Sequence, residues 1–315
     1  MKKIKTTPKQ EHDQNFLIDT RIIQDVIKAI ETEISSKKSP HFNSTLEIGP
    51  GTGAITKELA LLSKKVVAVE IDKSLSIALS SLPKSVTIEY GDALEYLKNL
   101  KQKIKQKIHN KKDGTEKSTS SLDSSSSFPF DLVFSSLPYK ICEPTLKALS
   151  IMPGFNVGFF IVPLGFYKKI KESVYFESFF KTTHIFDIPK ESFNPTPKSD
   201  SCLIKLTKKE FLKPQLSLAK KSNIKVHSTQ ACANFIIQKF LLQRTKKAKN
   251  ALRDAIIDFS KLKGYDYSTK KQAELLILKL GLSSKILETN VYSLSQKELK
   301  TIKKRITKEP LISNH

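Results

Sequence analysis

The chain has 315 residues, of which 39% are apolar, and 54 lysines and arginines against 31 acidic residues give a net charge of +23. A chain of this length can bury a core in one large domain with a smaller partner, and it has no apolar run long enough to cross a membrane. The charge favours a polyanionic partner, because the release of condensed counterions drives nucleic-acid binding. A solvated lysine-rich surface without such a role is the simpler alternative.

The cysteines and the first residues bear on the compartment. Cys142, Cys202 and Cys232 are odd in number and far apart, so their spacing indicates neither a disulfide framework nor a zinc site. Residues 1–5 lack the apolar core of a signal peptide and the arginine bias of a transit peptide. We therefore expect a cytoplasmic protein without a metal site or membrane attachment.

Strands and helices alternate through the first half of the chain. Apolar residues at helical spacing between Ile22 and Ile30 predict the first helix. The elements expected after it are, in order, a strand ending at Ile48, a helix over Ala54–Leu62, a strand over Lys65–Ile71, a helix over Leu75–Leu82 and a strand over Val86–Tyr90. Such alternation predicts a mostly parallel sheet.

A lysine- and serine-rich stretch, 97–129, interrupts this alternation and reads as a short basic helix followed by a disordered insertion. The elements expected after it are strands over Phe130–Phe134 and Val157–Val162, a helix over Gly165–Lys171, strands over His184–Ile188 and Ser201–Leu206, and helices over Ala231–Phe259, Gln272–Leu280 and Gln296–Ile306. We expect one domain over residues 1–206 and a helical, RNA-binding domain over 207–315, whose first helix has one basic face. Set beside the first domain, the helical domain would form a cleft for a long polyanion.

A glycine-rich turn follows the first apolar strand. Gly49, Gly51 and Gly53 allow a tight turn in which a ligand approaches main-chain N–H groups. The next strand ends at Glu70, whose carboxylate is placed to accept hydrogen bonds from two ribose hydroxyls. Together they predict a nucleoside-containing cofactor. The turn alone fits either S-adenosylmethionine or a dinucleotide, or an unrelated α/β glycine turn, but not a Walker loop.

Two further strand ends contain polar residues. Asp92 can pair with the exocyclic amine of an adenine or cap the next helix, and both roles are compatible. After the fourth of the expected strands come Ser136, Leu137, Pro138 and Tyr139. A side-chain oxygen and a main-chain carbonyl there can accept hydrogen bonds from both hydrogens of an adenine N6 amine, which frees the lone pair of the nitrogen. The tyrosine can stack on a flipped base. This layout favours an amino-methyltransferase over a dinucleotide-dependent oxidoreductase.

With these pieces in order, the sequence resembles the KsgA-type rRNA adenine-N6,N6-dimethyltransferases, with the Erm-type 23S rRNA methyltransferases as close relatives. The resemblance spans nearly the whole chain apart from the insertion. Its matching segments are residues 14–17 (QNFL), 47–53 (EIGPGTG), 69–72 (VEID), 91–94 (GDAL), 137–139 (LPY), 193–201 (FNPTPKSDS) and 243–247 (QRTKK).

The resemblance implies a class I methyltransferase fold, a Rossmann-like, mostly parallel seven-stranded sheet, with a small all-α C-terminal domain. It implies S-adenosylmethionine as methyl donor and two adjacent adenines near the 3′ end of small-subunit rRNA as targets during ribosome assembly. We also expect the protein to be a monomer. The residues that it would place around the cofactor are Asn15, Leu17, Gly49, Gly51, Gly53, Glu70, Ile71, Asp92, Ala93 and Ser136. The target adenine would lie at Ser136–Tyr139 with Phe193 stacking on it, and the rRNA would contact Lys198, Arg244, Lys246, Lys247 and Lys249.

Two departures from the family pattern leave a second function open. The family has Asn or Asp where this chain has Ser136, whose hydroxyl still accepts a hydrogen bond but is about one bond shorter than a carboxamide. The helix after the fifth expected strand begins with the apolar run 162–167 instead of polar residues. An active dimethyltransferase is therefore the leading hypothesis, and the alternatives are a weak or inactive assembly factor that keeps the fold, or an Erm-type enzyme.

Overall fold

The computed structural model of the chain describes residues 14–35, 40–112, 128–209, 229–263 and 269–308. The polar stretch 1–13 and residues 113–127 of the lysine- and serine-rich stretch lie outside the described residues. None of the helices in the described part is long and apolar enough to cross a bilayer.

A seven-stranded sheet forms the centre of the larger part of the chain. The strands in chain order are β1 (Phe16–Leu17), β2 (Thr45–Ile48), β3 (Val66–Glu70), β4 (Val86–Tyr90), β5 (Leu132–Ser136), β6 (Val157–Pro163), β7 (Phe180–Ile188), β8 (Phe193–Asn194) and β9 (Ser201–Lys208). The sheet order is β4-β3-β2-β5-β6-β9-β7, with β9 antiparallel to both of its neighbours, and β1 pairs separately with β8. This is the class I methyltransferase topology, so the predicted fold class is confirmed.

Helices lie between and after these strands. In chain order they are α1 (Thr20–Ser35), α2 (Ala54–Leu62), α3 (Ser76–Leu79), α4 (Ala93–Lys112), α5 (Tyr139–Ser150), α6 (Leu164–Glu172), α7 (Val174–Phe179), α8 (Thr229–Leu242), α9 (Ala248–Lys263), α10 (Lys270–Lys279), α11 (Ser284–Glu288) and α12 (Gln296–Lys308). The helix α4 begins four residues before the expected insertion and is capped by Asp92.

The central strands lie in the core of the larger unit. Strands β2 and β3 are buried along their whole length, as expected for parallel strands covered on both faces. One core cluster joins Val26 and Ile30 of α1 to Phe134 of β5 and Leu203 of β9. The helical spacing of α1 therefore reports the face that packs on the sheet.

The chain divides into two compact units, one of Met1–Lys169 with Phe180–Lys208 and one of Ile170–Phe179 with Lys209–His315. The segment Ile170–Phe179 groups with the C-terminal helices because α7 packs within that unit. There the Gln238 side-chain amide donates to the Ser178 carbonyl at 2.7 Å, and the Val174 N–H donates to the Gln296 side chain at 3.0 Å.

The single helix predicted over Ala231–Phe259 is wrong. The chain leaves the helix after Leu242 and re-enters one at Ala248. The turn between them is held by a segment distant in sequence, because the N–H groups of Ala248, Val291 and Tyr292 donate to the carbonyls of Thr289, Lys246 and Arg244 respectively. Tertiary hydrogen bonds thus override a local pattern that contains no glycine or proline.

Candidate functional site

The carboxyl ends of β2, β3, β4 and β5 meet at one edge of the sheet. Gly49 follows β2, and its N–H donates to the Val69 carbonyl of β3 at 2.9 Å. On its other side, a Cβ placed at Gly49 would lie 3.9 Å from the Ser136 carbonyl oxygen at the end of β5. The glycine turn therefore lies between the acidic end of β3 and the Ser-Leu-Pro-Tyr turn, as the strand order requires.

Glu70 is hydrogen-bonded to the glycine turn. It is 4% exposed, and its carboxylate accepts hydrogen bonds from the N–H of Gly51 at 3.1 Å and of Asp72 at 2.9 Å. Burial raises the pKa of Glu70, and the main-chain N–H groups of Asp72 and Gly51 oppose this rise. Gly49, Gly51 and Gly53 all have positive φ, of 73°, 58° and 83°, which residues with a Cβ rarely adopt.

The N-terminal strand crosses this turn. Leu17 of β1 pairs with Phe193 of β8, and the Gln14 side-chain amide donates to the Asp72 carboxylate at 3.1 Å. A Cβ at Gly51 would lie only 2.9 Å from the Phe16 ring. Asn15, which directly precedes β1, is half-buried, so the structure brings the segment 14–17 and the glycine turn together.

The turn after β5 presents one open aromatic ring. Tyr139 is 58% exposed, and its ring meets the buried Phe166 ring edge to face, with centroids 6.5 Å apart. Phe166 thus gives a packing reason for the apolar start of α6. Below the turn, the Cys142 thiol donates to the carbonyls of Leu137 and Pro138 at 3.6 and 3.4 Å, and burial raises its pKa to about 12.

The two serines that end β5 differ in their hydrogen bonding. The Ser135 hydroxyl is buried and donates to the Ile48 carbonyl at 2.6 Å. Ser136 is half-buried, and its hydroxyl forms no hydrogen bond with any described residue. A hydroxyl without a partner beside an exposed aromatic ring is available to an incoming substrate.

Asp92 and its neighbours complete the edge. The Asp92 carboxylate is exposed and accepts hydrogen bonds from the N–H groups of Leu94 and Glu95 at 2.7 and 3.0 Å, so it caps α4. Ala93 is buried, and Ile71 next to Glu70 is 49% exposed, an apolar side chain left open beside the carboxylate. The capping role is therefore observed, and the second carboxylate oxygen of Asp92 remains for a ligand.

The family model described as "Ribosomal RNA adenine dimethylase" matches residues 5–254. The chain belongs to this family.

Curated relatives of this dimethylase-family chain include the "Ribosomal RNA small subunit methyltransferase A" of Neisseria meningitidis, 29% identical over 61% of this chain and 67% of the relative. The protein with the same description from Staphylococcus aureus is 28% identical over 63% of each chain. The matches thus span about two thirds of the relatives' length. A solved dimethyladenosine transferase from Plasmodium falciparum is 19% identical over 91% of this chain and 95% of its own, with a TM-score of 0.47.

One predicted site residue of the dimethylase-family chain has another environment than expected. Phe193 is 4% exposed and belongs to the core cluster with Leu17 and Ile188. Its side chain is therefore part of the core in this structure, and stacking of Phe193 on the substrate base stays a prediction. Its backbone pairing with β1 still links it to the glycine turn.

The predicted basic face of the dimethylase-family chain is neutralised in part. Lys246 contacts Asp254 at 2.5 Å, and Lys247 and Lys249 both contact Glu288, at 2.7 and 2.5 Å. Hydrogen bonds from Lys247 and Lys249 lower the pKa of Glu288 to about 2. Arg244 is exposed in the turn between α8 and α9. Lys198 is exposed in the loop after β8.

Glu47 is a buried acid of the dimethylase-family chain that our sequence analysis passed over. It is 1% exposed on β2, and burial raises its pKa to about 8. The nearby Thr56 hydroxyl lowers the pKa somewhat, and the Glu70 carboxylate raises it. Neither Glu47 Oε2 nor Thr56 Oγ1 has a well-formed hydrogen bond with a described residue. A signal was present in the sequence, because a glutamate lies inside an otherwise apolar strand.

We expect Glu47 to make stability depend on pH. Its pKa is higher in the folded than in the unfolded chain, so its neutral form favours folding fully below about pH 4.5, and this contribution is lost as pH rises towards 8. Relative to a Glu47→Gln variant, the unfolding free energy of the wild type should fall by about 1.4 kcal/mol per pH unit in that window. Urea unfolding followed by circular dichroism at about pH 5 and pH 8 measures it. An unchanged difference at both pH values would contradict the assignment, and the exposed Glu89→Gln is the control.

Proposed function

We propose that this chain is an rRNA adenine-N6 dimethyltransferase that takes methyl groups from S-adenosylmethionine. The observation that supports this best is the adjacency of Gly49 to both the β3 end and the Ser136 carbonyl. A ribose held at Glu70 and an adenine held at the Ser-Leu-Pro-Tyr turn would then lie on either side of one glycine turn. The proposed targets are adjacent adenines near the 3′ end of small-subunit rRNA in a subunit precursor.

The residues present fit the cofactor. Glu70 offers a buried carboxylate at the strand end, and Ile71 offers an apolar surface beside it. Asp92 has one carboxylate oxygen beyond its two capping bonds, which suits an adenine amine. The glycine turn has positive φ values that residues with a Cβ rarely adopt. When bound, S-adenosylmethionine supplies an activated methyl group on a sulfonium.

The chain's own part in the reaction is to hold the amine. The Ser136 hydroxyl and a turn carbonyl would accept hydrogen bonds from the two N6 hydrogens. These bonds draw the nitrogen towards tetrahedral geometry and free its lone pair. Tyr139 would stack on the flipped base, a contact worth about 1–3 kcal/mol. No strong base is required, since correct positioning supplies much of the barrier reduction.

The test is methylation of small-subunit particles that lack this modification. Purified full-length chain and isotope-labelled S-adenosylmethionine should give dimethylated adenines, located by mass spectrometry of the rRNA. Large-subunit RNA serves as the comparison substrate. Methylation of that RNA, and not of the small-subunit particles, would favour the Erm-type alternative. No incorporation into either RNA, with cofactor binding intact, would contradict the enzymatic proposal.

A second candidate function is supported by Ser136. A hydroxyl that replaces a carboxamide could leave an assembly factor that binds small-subunit RNA but transfers methyl groups slowly. That factor would bind the particle with the same salt dependence and give no dimethyladenosine.

We further propose that the chain acts in the cytoplasm, where its proposed substrate is assembled, and that it acts as a monomer.

The RNA surface of the C-terminal helices is proposed to be a lysine row on α12. Lys297, Lys300 and Lys304 recur at helical spacing, line one shallow depression and are all exposed. None of these three lysines forms an ion pair with an acidic residue among those that the structure describes. The row therefore has free ammonium groups for phosphates, whereas the lysines of the 246–249 stretch already contact carboxylates.

We expect the triple variant Lys297→Ala, Lys300→Ala and Lys304→Ala to lower the salt dependence of rRNA binding. Each lost phosphate contact removes about 0.7–0.9 from the slope of log K against log salt, so the slope should fall by about 2–3. The matched control is Lys246→Ala with Lys247→Ala and Lys249→Ala, which removes the same charge. An equal loss in both variants, measured by filter binding over a salt series, would show that charge alone matters.

A further inference from the structure

Three side chains with metal-binding atoms meet at the edge of the sheet away from β4. His184 and Asp187 lie on β7 and Cys202 lies on β9, and one ligand atom from each falls within 4.8 Å of the others. The His184 Nε2 atom lies 2.7 Å from the Asp187 carboxylate. No part of the proposed methyl-transfer site includes these residues.

A β-bulge explains how they come together. Residues three apart on a regular strand point to opposite faces. Here the pairing shifts between His184 and Phe186, so that His184 pairs with Ile204 and Asp187 pairs with Cys202. Residues 202 and 204 lie on one face of β9, and the imidazole, the carboxylate and the thiol therefore share that face.

The chemistry of the three groups is selective. Nitrogen from imidazole, sulfur from a thiolate and oxygen from a carboxylate form the mixed donor set typical of zinc, and three protein ligands leave a fourth position for water. Cys202 is fully buried, while the side chains of His184 and Asp187 are 35% and 63% exposed. An ion can therefore enter from solvent and meet the thiol beneath the other two ligands.

We propose that His184, Asp187 and Cys202 bind one zinc ion. The ion takes the thiolate, and the thiol proton leaves to solvent. Because binding the metal releases the thiol proton, binding should weaken as pH falls. Zinc–ligand distances of about 2.0–2.3 Å separate tetrahedral ligand atoms by about 3.3–3.7 Å. Side-chain rotation must therefore part the histidine and aspartate slightly from their hydrogen bond.

The position of the site suggests what zinc would stabilise. The Tyr167 ring of α6 lies against His184, with ring centroids 5.2 Å apart. The preceding residue, Phe166, contacts Tyr139. Zinc would thus link the edge strand β7 to β9. It would also hold the His184 ring in place, and Tyr167 in the first turn of α6 packs against that ring. Metal binding itself does not depend on whether the chain methylates rRNA.

Cobalt titration of the full-length chain tests the proposal. With all three thiols reduced by a phosphine, Co²⁺ should produce one thiolate-to-cobalt charge-transfer band at a stoichiometry of one, and Zn²⁺ should abolish it. The band should disappear in Cys202→Ser and persist in Cys142→Ser and Cys232→Ser, which are matched buried thiols.

Variants of the two exposed ligands separate loss of metal binding from loss of folding. His184→Gln and Asp187→Asn should keep the circular dichroism spectrum of the wild type and weaken Co²⁺ binding at least about tenfold, because even outer partners of a metal contribute about 10–100-fold. Absence of the band in the wild type would overturn the proposal. So would its persistence in Cys202→Ser, or affinity within about threefold of the wild type in both surface variants.

Discussion

Glu70→Gln is expected to raise the dissociation constant for S-adenosylmethionine about 100-fold. The two oxygens of the Glu70 carboxylate accept hydrogen bonds from the N–H groups of Gly51 and Asp72, and each oxygen has a further lone pair that can accept a bond from a ribose hydroxyl. A glutamine keeps the shape but turns one acceptor into a donor that opposes an N–H group. Loss of a charge-assisted bond and the new mismatch amount to about 3 kcal/mol.

Isothermal titration calorimetry with the full-length chain measures this effect. Glu89→Gln, on the neighbouring strand β4 and exposed, is the control and should bind as the wild type does. Circular dichroism should show both variants folded. If Glu70→Gln bound the cofactor within about threefold of the wild type, the ribose would not lie at this carboxylate.

Ser136→Ala is expected to reduce the rate of methyl transfer about 10–100-fold, with little change in cofactor affinity. The hydroxyl of Ser136 has no partner among the described residues, so its removal costs the fold little. It is, however, the side-chain acceptor that we propose for the adenine amine, and loss of one such bond in the transition state costs about 1.5–3 kcal/mol.

The comparison with Ser136→Asn separates the two candidate functions. An active enzyme should show rates for serine and asparagine within about tenfold of each other, because both side chains accept a hydrogen bond. A gain of several orders of magnitude on introducing asparagine would identify the wild type as an assembly factor with a degenerate site. Single-turnover methylation of small-subunit particles resolves the chemical step in all three proteins.

The parts of the fold that could be predicted from sequence have local signals. Glycines at three alternate positions require positive φ, and an apolar strand that ends in Glu70 shows the boundary of a buried element. The segments 184–188 and 201–206 predict the final strand pair, which corresponds to β7 and β9. In each case the residues that define the element are neighbours in the chain, so their periodicity reports the structure directly.

The parts that sequence could not supply depend on distant contacts. The two-residue strands β1 and β8 are too short for a periodic signal, although the Gln-Asn-Phe-Leu segment was noticed through resemblance. The break between α8 and α9 depends on main-chain donors from residues 291–292. The burial of Phe193 follows from its pairing with Leu17. The contact between His184 and Asp187 requires a β-bulge that no local sequence pattern predicts.

The pairing of β1 with β8 has a consequence for biosynthesis. Phe16 lies against Gly51 and pairs with Asn194, and Phe16 and Asn194 are separated by about 180 residues, a closure that forms slowly. A nascent chain that exposes only its first hundred and fifty or so residues would hold the glycine turn without its cover. Competence to retain a nucleoside should therefore arise late in translation, after the second half of the sheet has emerged from the ribosome.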